Sequence, residues 1–260
     1  MPFVSLLGHR TWAKVPGPGP TVLLLHGGMS SSASMLRSIG PRLKRDFRVA
    51  AFDRRGHGRT ADTPEPFHYD TMADETIAFI EHLARPVHLV GHSDGGNVAL
   101  LVTLRRPDLV RRSVLVGANY HHEGLMDLEI MSRPSPEFDL WAMKYAESSP
   151  DGVSHAGVVF DKALQLFATE PTLRGSDLAR VSRPVLVLAG DDDVATLEHT
   201  CSMYESIPDA QLAIVPGTSH ALLKERPKES ARLIRRFLLA EGSPETYAPV
   251  RRARPETLGA

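Results

Sequence analysis

A single cysteine, Cys201, is all the thiol chemistry in the 260 residues. No internal disulfide framework can form, and the count suits a reducing compartment such as the cytoplasm. Neither sign of charge is in excess. The formal net charge of -1 provides no basic surface for nucleic acid and no polybasic face for a membrane. Long hydrophobic runs are missing too. Although 42% of the residues are hydrophobic, no stretch approaches the roughly 18 apolar residues of a membrane span. The opening Met1-Pro2-Phe3-Val4-Ser5-Leu6-Leu7 lacks the basic leader and apolar length of a secretory signal. A soluble cytoplasmic protein acting on a small molecule is expected, with no nucleic-acid or membrane partner and its oligomeric state open. No glycine-rich phosphate or dinucleotide loop follows the early strands, so no cofactor is implied. His121-His122-Glu123 is the one tempting metal cluster, but adjacent residues do not share a helix face, so no metal site is expected. It reads instead as a solvated entrance.

What is present is a rhythm. Short Val/Leu/Ile-rich runs alternate with amphipathic stretches, the pattern of βαβ units and a mostly parallel sheet. Strands are expected at Thr21–Leu25, Arg48–Phe52, Val87–Val90, Ser113–Val116, Val185–Ala189 and Leu212–Val215. None alternates with polar residues, as suits strands covered on both faces. Phe3–Leu7 and Thr11–Val15 read as an antiparallel edge hairpin. Helices are expected at Ser32–Arg45, Tyr69–Ala84, Asn97–Arg105, Leu197–Ser206 and Pro227–Ala240. Within Tyr69–Ala84, the residues Met72, Thr76, Phe79, Ile80 and Leu83 recur at helical spacing and form a core-facing stripe.

Between Asn119 and Arg183 the rhythm breaks. Phe138, Trp141, Met143, Tyr145, Phe160, Leu164 and Phe167 fall in helix-like stretches punctuated by Pro134, Pro136, Pro150 and Pro171. A structureless connection of about 60 residues would be unusual. A helical cap at 120–183 is therefore expected, inserted into a core built from 1–119 and 184–240. Most of its aromatics serve the cap's own packing. Open α/β sheets bind ligands beyond the carboxyl ends of their strands, however, which makes Phe138, Trp141 and Tyr145 candidates for substrate contact. Residues 241–260, with Pro244, Pro249 and Pro255 and little apolar content, read as a loose tail.

The chemistry is carried by Gly91-His92-Ser93-Asp94-Gly95. A buried strand precedes it and a helix of small and apolar residues follows, the context that a nucleophilic serine on a sharp strand-to-helix turn requires. The flanking glycines relieve collisions in the turn. The helix N-terminus beneath favours a developing negative charge. Such a serine needs a base, itself oriented by a third group. His220, in the loop Pro216-Gly217-Thr218-Ser219-His220 after a late strand, lies at the correct edge of the sheet. The acid should end another strand between the two, where Asp191, Asp192 and Asp193 stand as three candidates.

The chain thus resembles an α/β-hydrolase over nearly its whole length. That resemblance implies an α/β fold with a mostly parallel, about eight-stranded sheet, helices on both faces and an inserted helical cap. The family pattern Gly-x-x-Asp at the last acid strand selects Asp193, leaving Asp191 and Asp192 as turn residues. His26-Gly27-Gly28-Met29 matches the family's oxyanion loop, so the amide of Asp94 and that of Gly28 or Met29 are the expected oxyanion donors. Asp53-Arg54-Arg55-Gly56-His57-Gly58 resembles a structural turn of the family. A serine at the elbow argues against the dehalogenase and epoxide-hydrolase relatives, which use aspartate.

Ser93-Asp94-Gly95-Gly96 is similar to the valacyclovir-hydrolase-like (biphenyl-hydrolase-like) branch, as is Val116-Gly117-Ala118-Asn119. There the elbow aspartate receives the α-ammonium of an amino-acid ester, which makes Asp94 a candidate substrate contact. The other reading pairs Asp94 with a cap or loop arginine. The expected function is a serine hydrolase that cleaves a small carboxylic ester or lactone through an acyl-enzyme. The alternatives are a C–C bond hydrolase of ring-cleavage diketones and, from another class, a non-catalytic ligand receptor on the same fold.

Overall fold

The computed structural model describes residues 2–126 and 132–251. The parts of the expected cap and tail that fall on 127–131 and 252–260 lie outside the described residues. The order of elements is β1 (Phe3–Leu6), β2 (His9–Lys14), β3 (Thr21–Leu25), α1 (Ser32–Ser38), α2 (Gly40–Leu43), β4 (Arg48–Phe52), α3 (Tyr69–His82), β5 (Val87–His92), α4 (Asp94–Arg105) and β6 (Val110–Val116). There follow α5 (Pro136–Ala146), α6 (Ala156–Thr169), α7 (Gly175–Leu178), β7 (Val185–Asp192), α8 (Leu197–Ser206), β8 (Ala210–Ser219), α9 (Leu222–Glu225) and α10 (Pro227–Leu238).

The strands form one eight-stranded sheet in the order β1-β2-β4-β3-β5-β6-β7-β8. β1 and β2 form an antiparallel edge hairpin, β2 meets β4 antiparallel, and every later pairing is parallel. The strand order turns back on itself at β3 and β5, so the loops leaving these two neighbours diverge. Crevices at such reversals, beyond the strand carboxyl ends, are where open α/β sheets bind ligands. Two-residue alternation divides the core. Leu23, Leu25, Ala50 and Phe52 face α3 and α4 with Phe79, Ile80 and Leu100, whereas Val22, Leu24, Val49 and Ala51 face α1, α2 and α10 with Met35, Ile39, Ile234 and Phe237.

One expectation is corrected here. The single helix anticipated over Ser32–Arg45 is two, broken after Ser38. Pro41 has no N–H to give the Arg37 carbonyl, so the first helix cannot run through it and a new one starts with the proline in its first turn. The described part of the expected tail is mostly exposed, with a few contacts to the core. Residues 241–251 hold no helix or strand, but Ser243 Oγ donates to Asp209 at 2.9 Å, and the Arg251 guanidinium donates to the Tyr204 carbonyl at 2.8 Å while covering the Tyr204 ring. Among the described residues no helix is long and apolar enough to cross a membrane.

Candidate active site

β5 delivers the chain into a strained turn. Ser93 has φ 54° and ψ -124°, a conformation that costs a residue with a side chain about 1–3 kcal/mol. A Cβ on Gly91 would lie 1.9 Å from the Gly95 carbonyl oxygen, and one on Gly95 would lie 2.0 Å from that of Leu25. Only glycine fits either place. The Ser93 N–H donates to the Val116 carbonyl at 2.8 Å, and the Ser93 carbonyl accepts from the Gly96 N–H at 2.6 Å, so α4 begins directly beneath the serine. Its N-terminus brings partial positive charge to the turn.

His220, following β8, has Nδ1 2.6 Å from Asp193 Oδ1, and Asp193 Oδ2 accepts from the Gly190 N–H at 3.3 Å. Burial pushes the Asp193 carboxyl up. The hydrogen bond and charge of His220, with the backbone amides of Gly190 and Ala195, outweigh it and hold the pKa below the usual value. An ionised carboxylate on Nδ1 fixes that nitrogen as the donor and leaves Nε2 as the basic atom. Asp191 instead accepts the Thr218 N–H at 3.1 Å, and Asp192 ends β7 opposite Ser219. Of the three candidates, Asp193 alone reaches the histidine. The pair rests on Gly117 (φ 55°), where a Cβ would stand 2.9 Å from His220 Nδ1 and 3.1 Å from Asp193 Oδ2. Sequence reasoning noticed Gly117 only within a resemblance; a glycine directly after a central strand was the available signal.

Ser93 and His220 share a cavity of about 330 Å³ with Gly28, Met29, His92 and Lys224. Ser93 Oγ makes no hydrogen bond to the ring; such bonds are often long without substrate and tighten in the reacting complex. His92 Nε2 donates to the His220 carbonyl at 2.8 Å, and burial, with the neighbouring His220, lowers its own pKa to about 4. A larger cavity of about 840 Å³ opens between α1 and α5. It meets the first at Met29, Ser30, Ser34 and Lys224.

The loop after β3 is fixed from behind. His26 is buried, and burial together with Arg54 keeps its pKa well below the ordinary value. Its Nε2 accepts the Arg54 N–H at 3.2 Å, so its Nδ1–H donates to the Gly27 carbonyl at 2.7 Å and orients the Gly27–Gly28 peptide. The Met29 N–H donates to His57 Nε2 at 3.3 Å. The Gly28 amide has no partner among the described residues. Gly28 is thus the better placed of the two expected donors.

Asp94 is enclosed by its neighbours. Its carboxylate is 3% exposed, accepts the Tyr69 hydroxyl at 2.9 Å and lies 4.0 Å from Arg54 Nη2. It lines neither of these two cavities; its carboxylate sits between the loop arginine and the loop after β3, where a Cβ on Gly28 would lie 2.5 Å from Oδ2. Burial raises its pKa, opposed by Arg54 and the Tyr69 hydrogen bond. Trp141 and Tyr145 line the larger cavity, and Trp141 Nε1 donates to the Met29 carbonyl at 2.7 Å. Phe138 lines neither; it packs edge-on against Phe160 with ring centroids 5.0 Å apart, as part of the insertion's own core. The rings of His121 and His122 stack on each other, 4.6 Å between centroids.

Comparison with known proteins identifies the family of the fold. The model of the alpha/beta hydrolase family matches residues 22–233. A putative carbamate hydrolase, RutD, of Variovorax paradoxus strain S110 is 31% identical over 231 residues, covering 79% of this chain and 86% of that one. A serine hydrolase involved in carbazole degradation (CarC) superposes with a TM-score of 0.74 at 26% identity, covering 91% of this chain and 97% of its own. The enol-lactonase of Burkholderia xenovorans LB400 does so with a TM-score of 0.74, 92% and 100% coverage and 18% identity, a likeness of fold. From the matched model, the relatives and the shared sheet, the chain belongs to the alpha/beta hydrolase family and is a hydrolase.

Proposed function

We propose that this hydrolase is a serine enzyme that cleaves small carboxylic esters or lactones through an acyl-enzyme. The observation that carries the reading is the 2.6 Å contact between His220 Nδ1 and the buried Asp193 carboxylate, beside the cavity that holds Ser93 on its strained elbow. In this reading Ser93 Oγ attacks the substrate carbonyl while His220 Nε2 takes its proton. Asp193 holds the ring's orientation and stabilises the imidazolium. The Gly28 and Asp94 amides receive the oxyanion, helped by the α4 N-terminus. His220 then gives the proton to the leaving oxygen, and water resolves the acyl-enzyme by the same steps. Residues 1–119 and 184–240 act as the hydrolase core, with 120–183 as a cap that shapes the larger cavity through Trp141 and Tyr145.

The substrate class follows from the site and not from any one relative. Carbamates and lactones, named for the relatives above, present the same acyl carbon to the serine and belong in the test beside simple esters. The purified protein is assayed with p-nitrophenyl esters, aminoacyl esters, lactones, carbamates and dienoate diketones. A fluorophosphonate probe is expected to label Ser93, and Ser93→Ala to abolish turnover with the fold retained by circular dichroism. Labelling of another residue, or wild-type turnover in a folded Ser93→Ala protein, overturns the reading.

A further inference from the structure

The residues where the two cavities meet are polar in a particular way. Ser30 and Ser34, at the start of α1, and Lys224, on α9, line both cavities. Among the described residues, neither hydroxyl nor the ammonium is engaged by another side chain. Lys224 is also the only permanently charged side chain lining the cavity that holds Ser93. Beyond the neck, the larger cavity is lined by Arg37 and Lys144 together with Glu137 and Glu147, while Arg59 is already occupied by Asp53 at 2.8 Å. The nearer a substrate group lies to Ser93, the more Lys224 dominates the charge it meets.

We propose that this neck is a subsite for a carboxylate carried on the leaving portion of the substrate, held by Lys224 with hydroxyl donors from Ser30 and Ser34. The inference rests on the serine-hydrolase reading of the same site. Its polarity comes from that chemistry: His220 hands its proton to the departing oxygen, so the leaving group lies on the His220 flank, and Lys224 follows on the short helix immediately after His220. The one fixed charge at the neck is positive and both hydroxyls can turn to donate, which suits an anion better than an ammonium. Asp94, the carboxylate that would have welcomed an ammonium, is buried against Tyr69 and Arg54. The ammonium of Lys224 is exposed, so its contribution is modest and sensitive to salt.

The test compares 4-acetoxybenzoate with the near-isosteric 4-acetoxybenzamide by release of the phenol. The amide has the better leaving group, so a preference for the carboxylate runs against intrinsic reactivity. Wild-type kcat/KM is expected to favour the carboxylate about threefold to fivefold at low ionic strength, and less as salt is added. Lys224→Met should bring the ratio to one or below, Lys224→Glu should invert it, and Lys224→Arg should keep it above one. A wild-type ratio at or below one, or an unchanged ratio in Lys224→Met, overturns the subsite while leaving the hydrolase reading standing. Failure to cleave either ester, together with no phosphonate labelling of Ser93, overturns the underlying reading and this one with it. If Ser93 labels but neither ester turns over, protection against labelling by benzoate over benzamide decides the question in the same way.

Discussion

An imidazole whose Nδ1 is held by a buried carboxylate has its tautomer and its tilt set together, and both depend on one atom of Asp193. Asp193→Asn presents an amide that can donate to Nδ1 and stabilise the wrong tautomer, so kcat should fall by roughly 10³–10⁴ with p-nitrophenyl acetate. Asp191→Asn and Asp192→Asn should stay within a few-fold of wild type. If either of these two were the sensitive position, the acid would have been assigned out of register. The floor beneath the pair is equally exacting. Gly117→Ala places a methyl group within contact of both His220 and Asp193 on left-handed backbone. A loss of about 1–3 kcal/mol in urea unfolding is expected, together with a fall in kcat as the pair shifts. Wild-type kinetics in that variant would show that the pair has room the distances deny.

The elements meet where Trp141 of α5 reaches the Met29 carbonyl. This bond ties the insertion to the loop after β3, which lines the cavity of Ser93. Trp141→Phe keeps the aromatic wall and removes the bond, which is worth about 1 kcal/mol. The expected result is a few-fold loss in kcat/KM, with a Tm close to wild type. An unchanged kcat/KM would show that the loop is held by His26 and His57 alone. Much of this layer was legible in the residues. The six core strands, the edge hairpin and α8 lie where Val/Leu/Ile runs and helical spacing place them, because strands covered on both faces have no polar alternation to confuse them. Ser93 and His220 were legible because each follows such a strand at its carboxyl end.

What was not legible depends on packing between elements distant in sequence. Periodicity shows that Phe138, Trp141 and Tyr145 are helical but not which way α5 turns over the core, and it is that rotation which sends Phe138 to Phe160 and Trp141 to Met29. The partners of Asp94 were not legible either, because Arg54 and Tyr69 come to it from two other elements. The bond from the Met29 N–H to His57, 28 positions away, was likewise invisible in the sequence.

At the scale of the molecule, buried neutral histidines set an acid limit. Burial above all lowers the pKa values of His57 and His88 to about 4, helped by Arg54 for the first and by Arg111 and Arg112 for the second. In the unfolded chain both titrate near the ordinary value of about 6.5. Between those values the unfolded state binds more protons than the native one, so this stability is fully present above about pH 6.5 and is lost as the pH falls toward 4. Each histidine contributes at most about 1.4 kcal/mol per pH unit. Urea unfolding at pH 5 should give a stability lower than at pH 7 by roughly 2 kcal/mol or more, and His88→Leu should reduce the difference. A flat profile across that range would mean that the two rings accept protons without unfolding.

The Arg54–Asp94–Tyr69 cluster has a further consequence for how the chain can vary. Arg54 follows β4, Asp94 follows β5 and Tyr69 begins α3, and the two charges are almost wholly removed from water. Removing one partner of such a pair strands the other and typically costs about 3–5 kcal/mol, whereas replacing both with apolar residues of similar volume is often neutral. Asp94→Met and Arg54→Met should therefore each be harmful alone and far less so together. Their effects will not add, although the double variant still loses the 2.6 Å bond from Arg54 Nη1 to the His26 carbonyl, so the arginine is constrained by more than its charge partner. Any route from this elbow to one with an apolar residue after the serine has to change the arginine in the same step.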